Sequence, residues 1–129
     1  MDDDKLKDVR RQIMQATLKL ETKALNYLMV ANGAGLAGCL AGLKDYSTVP
    51  QLHGIGALIV IFVAGLILGA LAFVVFQSAH FEIMHNVLTD EDNPRRAAIS
   101  MTIANLLMKA SGGAFILALI IIANKLAKL

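Results

Sequence analysis

The chain has 129 residues, 57% of them apolar and 17% charged, and its mean hydropathy of +0.62 lies above the usual range of soluble domains. A net charge of +2 provides no basic surface for nucleic acid, and the single Cys39 excludes an intrachain disulfide and a cysteine-based zinc site. What is left is a small all-α, polytopic membrane protein forming one domain, with three transmembrane helices that extend into a short cytosolic helical stalk.

Residues 1–23 open on Asp2, Asp3 and Asp4, acidic side chains that favour a helix start at the positive end of the helix dipole. Leu6, Val9, Ile13, Ala16 and Leu20 then recur in alternating steps of three and four, and after Lys23 the pattern continues at Tyr27 and Val30. With no Gly or Pro before the next segment, this heptad predicts a cytosolic helix running straight into the first span; a helix lying on the membrane surface is the alternative. Val9, Ile13 and Leu20 are the candidate docking residues for a cytosolic protein partner.

The first span covers residues 24–43, which carry no charge. Two rows of small residues, Ala31/Gly35/Cys39 and Ala34/Gly38/Gly42, allow close backbone approach, so this span is expected to be the most protein-buried of the three. Leu36-Ala37-Gly38-Cys39 also matches a lipobox, but the charged, heptad-bearing segment before it is longer than that of a signal peptide. Cys39 is therefore read as a packing residue.

Residues 44–50 make a polar turn with Asp45, Ser47 and Pro50, in which Thr48 is a candidate cap for the second helix, and His53 is an interfacial residue. The second span, residues 53–76, has no polar side chain from Gly54 to Phe76, and those residues reach about 34 Å as a helix, enough to cross a hydrocarbon core of about 30 Å. Gly65 and Gly69 form a GxxxG motif that predicts a close helix contact without saying whether the partner is the same chain. Beyond it, residues 77–103 are expected to form a cytosolic helical hairpin: Phe81, Met84 and Leu88 continue the rod, and an acidic turn at residues 90–93 precedes Pro94. His80, Glu82 and His85 lack the same-face spacing of a metal site, and the acidic turn lacks the length and central glycine of a calcium loop.

The third span covers residues 104–123, with Ala110, Ala114 and Ala118 as a close-packing row and Gly112-Gly113 as a point of bending or close crossing. Lys109 interrupts it. For a hairpin centred near Asp92, Lys109 falls level with Phe76, Gln77 and His80; a side chain snorkelling to the interface is the simpler reading, and Lys109, His80 and Gln77 as a pore or polar cluster is the functional one. Lys5, Lys7, Arg10, Arg11, Lys19, Lys23, Arg95, Arg96 and Lys109 lie on one side and Lys44, Lys125 and Lys128 on the other. The positive-inside rule then puts the amino terminus in the cytoplasm and the carboxyl terminus outside; a bacterial inner membrane is the expected location.

Small-residue rows on several faces predict a homo-oligomer in the lipid bilayer, with Gly35, Gly38, Gly42, Gly65, Gly69, Ala114 and Ala118 as the helix-packing set. No catalytic constellation, cofactor motif or metal-ligand set is present, so an enzyme is not expected. The expected function is an oligomer that forms or gates a pore or perturbs the membrane, with the general proportions of bacterial pore-type effectors and phage holins. The alternative is an accessory or scaffold subunit docking a partner through its cytosolic helices.

Overall fold

The computed structural model describes residues 3–43, 54–89 and 94–128; the turn at 44–50, Thr48, His53 and the acidic turn at 90–93 lie outside the described residues. The chain is all-α, with three helices: α1 (Asp3–Gly42), α2 (Ile55–Thr89) and α3 (Pro94–Leu126). Each contains a stretch long and apolar enough to cross a membrane, which makes this an integral membrane protein. At 40, 35 and 33 residues the helices are about 60, 52 and 50 Å long, so all three continue well past a hydrocarbon core of about 30 Å.

Local sequence explains the helix ends. Gly54 adopts φ +94°, open to glycine because it has no Cβ, and its carbonyl accepts the amides of Ala57 and Leu58 at 3.1 and 3.4 Å to start α2. At the other end of the hairpin, α3 begins on Pro94, where a missing amide proton costs nothing.

α1 runs antiparallel to α2 with a constant register. Gly42 meets Ile55, Gly35 meets Phe62, Asn32 meets Gly65 and Met29 meets Gly69. α3 runs antiparallel to α2 in turn: Lys125 lies against Gly54, Phe115 against Phe62 and Ser111 against Gly69. The bundle thus has a basic end, where α1 enters and the α2–α3 hairpin turns, and an opposite end marked by Gly42, Gly54 and Lys125.

Two apolar clusters stack along the bundle. Cys39, Ile55, Leu58, Phe62 and Ala118 form one toward the opposite end, and Leu25, Ala72, Phe76 and Ala104 form the other toward the basic end. Phe62 is the central knob of the first. Its ring fills the space left by the missing side chain of Gly35 and meets Phe115 at a centroid distance of 6.3 Å and a tilt of 54°.

The expectation that the first span is the most enclosed is corrected by this packing. In the most apolar window of each helix, 28% of residues are buried in α2, against 17% in α1 and 11% in α3. α2 is central because α1 and α3 both pack on it, whereas small residues on α1 describe how closely it can approach, not how many neighbours it has.

The heptad also resolves into two faces of α1. Leu18, Leu25, Asn32 and Cys39, spaced by seven, face α2, Leu18 half-buried and the other three buried. Val9, Ile13, Leu20, Tyr27 and Val30 lie on the other side and are exposed at 48, 62, 70, 65 and 69%. The apolar stripe most visible in the sequence is therefore the face the protomer leaves open.

Candidate functional site

Between the two apolar clusters lies a polar layer built from all three helices. Asn32 and Ser111 are both 0% exposed, and they are the buried polar side chains of the described core. Ser111 Oγ donates to the carbonyl of Gly65 at 2.7 Å, and Asn32 Nδ2 donates to the Leu28 carbonyl at 2.9 Å and reaches Ser111 Oγ at 3.5 Å. In lipid such groups have no water to turn to; Ser111 is satisfied across the interface by α2, and the Asn32 amide chiefly within α1. Asn32 Oδ1 is buried without a hydrogen-bond partner among the described residues and rests against Gly65.

The glycine motif of α2 has its partners within the chain. A Cβ on Gly65 would collide with the Asn32 carboxamide, and one on Gly69 would stand 3.3 Å from both Met29 Cγ and Ser111 Oγ. Gly35 is likewise filled by Phe62, a Cβ on Gly42 would stand 3.2 Å from Ile55 Cδ1, and Ala118 is fully buried in the first cluster. Ala114 is half-buried. Gly38 has nothing within 4 Å of its Cβ position, so of the expected packing residues it is the one on an open face.

Lys109 sits elsewhere than the sequence reading placed it. Ser111 is level with Gly65 and Gly69, and Ala104 packs among Ala72 and Phe76, so Lys109 falls near the level of Gly69. That is about 10 Å nearer the middle of the bilayer than Gln77. The register of α3 is set by where Ser111 and Ala104 can approach α2 closely, not by the midpoint of the connecting turn. Lys109 is exposed on the outer face of α3, beside Leu106 at 68% and the open positions Ala110 and Gly113.

Gln77 and His80 are brought together, but with α1 in place of Lys109. They line a groove of about 870 Å³ between α1 and α2 at the basic end, with Lys19 and Lys23 on the facing wall and Leu18 and Phe76 as its apolar part. His80 Nδ1 is buried without a hydrogen-bond partner among the described residues, as are Glu21 Oε2 and Glu82 Oε2. Val9, Ile13 and Leu20 form no part of either site and stand on the open face of α1.

The sequence alone assigned no role to Ser111 or Asn32. Their roles depend on a register between helices 79 residues apart in sequence, and no local pattern encodes that pairing. No known protein family, no curated protein and no solved structure matches the chain.

Proposed function

We propose that the chain is the protomer of a homo-oligomeric membrane assembly that forms or gates a pore, or perturbs the bilayer, with its amino terminus in the cytoplasm of a bacterium and its carboxyl terminus outside the inner membrane. Lys109 is the observation that carries this reading. It is the single charge in the three spans as read from the sequence, and those spans contain no Asp or Glu to pair with it. Lys109 lies five residues, about 7.5 Å, inside the start of the third span, so its ammonium approaches the interface only with the side chain fully extended. An outward-facing lysine at that depth is accommodated when assembly turns its face toward a water-filled path or a neighbouring protomer.

The packing supports assembly in a second way. Gly35, Gly65, Gly69 and Ala118 are occupied inside the protomer, which leaves Ala34 and Gly38 on α1, and Ala110 and Gly113 beside Lys109, as open small-residue faces. Such faces allow close contact between copies in lipid. Reconstitution into dye-loaded liposomes tests the reading. Release by the native chain, reduced by Lys109→Leu, is the expected result; an intact bilayer at high protein density would reject it.

A second reading is favoured by the exposure of Val9, Ile13 and Leu20, which suits an accessory subunit holding a cytosolic protein on the outer stripe of α1. A protein that co-purifies only while that stripe is intact, together with liposomes that stay sealed, would select it over the pore.

A further inference from the structure

The groove between α1 and α2 at the basic end has a chemistry that neither the pore nor the docking reading uses. We infer that it seats the headgroup of an anionic phospholipid.

Its position is the first argument. On α1 the groove spans the passage from charged to apolar sequence, from Lys19 and Lys23 to Asn26, and on α2 it spans the same passage in reverse, from Phe76 to Gln77 and His80. Both helices cross the membrane–water boundary at this point, so the groove opens at the depth of the phosphates.

Its composition is the second. Lys19 and Lys23 supply two ammonium groups, and Thr22, Asn26 and Gln77 add neutral donors, while no carboxylate belongs to the lining. That set matches a phosphodiester and disfavours a cation. Leu18 and Phe76 add an apolar wall beside the ammonium groups, a surface that the glycerol backbone and first acyl carbons of a seated lipid would cover. A free phosphate would use the ammonium groups and leave that wall uncovered, so the geometry favours the lipid.

The third argument is volume. A groove of about 870 Å³ is larger than an inorganic anion needs and falls within the range of sites for organic ligands, about 300–1,000 Å³.

The test is native mass spectrometry of the full-length, delipidated protein in a neutral detergent, titrated with phosphatidylglycerol and separately with phosphatidylcholine. Phosphatidylglycerol should bind at least about ten-fold more tightly, and the double variant Lys19→Gln/Lys23→Gln should bring the two within about two-fold of each other. Arg95→Gln/Arg96→Gln, which alters charge at the same end but outside the groove, should keep the preference. Equal binding by the native chain, an unchanged preference in the lysine variant, or its loss in the arginine variant would overturn the inference. So would displacement of the lipid by an equal concentration of inorganic phosphate, which would assign the site to a free anion. Should the lysine variant lose its helical content, photoactivatable phosphatidylglycerol on the native chain decides: adducts within residues 15–26 and 73–80 support the seat, and adducts confined to other segments overturn it.

Discussion

Ser111 Oγ donates a 2.7 Å hydrogen bond to the carbonyl of Gly65, and this contact fixes the height of α3 against α2. Asn32 closes the layer from α1, its carboxamide occupying the space a side chain at position 65 would need. Ser111→Ala should lower stability by about 0.6–1.7 kcal/mol, the range for hydrogen bonds between membrane helices. Gly65→Ala should cost more, about 1–3 kcal/mol, because the added methyl displaces Asn32 and strains the packed layer. Unfolding of the purified protein by titration with sodium dodecyl sulfate, followed by circular dichroism, measures both; a harmless Gly65→Ala would refute the layer as described.

Gly35 and Gly38 lie on the same span yet should respond in opposite ways. Gly35→Ala places a methyl against the Phe62 ring and should destabilise the protomer, whereas Gly38→Ala meets nothing within 4 Å and should be neutral or slightly stabilising, since alanine favours a helix by about 1 kcal/mol over glycine. The larger Gly38→Leu separates folding from assembly. It should leave the protomer's melting intact and reduce the oligomer seen by native mass spectrometry; an unchanged oligomer would remove the α1 face from the assembly.

The stripe on α1 offers a cleaner separation. Val9 and Ile13 are 48 and 62% exposed, so Val9→Glu and Ile13→Glu should each change protomer stability by no more than about 0.5 kcal/mol. Any partner or second copy held by that stripe should dissociate, because a charge would enter the centre of an apolar contact. A melting shift well beyond that limit would mean the stripe packs within the protomer.

Architecture was legible in the sequence because its signals are local. Long apolar runs marked the three spans, Pro94 marked the start of α3, and the absence of Gly and Pro after Phe76 marked α2 as one continuous rod. Pairing was not legible. The periodic stripe through Val9, Ile13 and Leu20 was the most regular feature of α1, yet the face that packs is the one through Leu18, Leu25, Asn32 and Cys39. Periodicity identifies faces, and only the shape of a neighbour decides which face is used. Lys109 illustrates the same limit: its presence was evident, but its depth follows from the seating of Ser111 on Gly65, which the length of the acidic turn does not determine.

Whether Lys109 faces water in the assembled protein decides between a pore and a sealed bundle. The direct measurement is the labelling of a cysteine at that position by a charged, membrane-impermeant thiol reagent, in reconstituted protein carrying Cys39→Ala. Ile67→Cys is the comparison, since Ile67 is 56% exposed on α2 at a similar depth. The pore reading predicts rapid labelling of Lys109→Cys and none of Ile67→Cys. If both stay unlabelled while the protein remains folded, Lys109 faces lipid or a dry interface, and the water-filled path is contradicted.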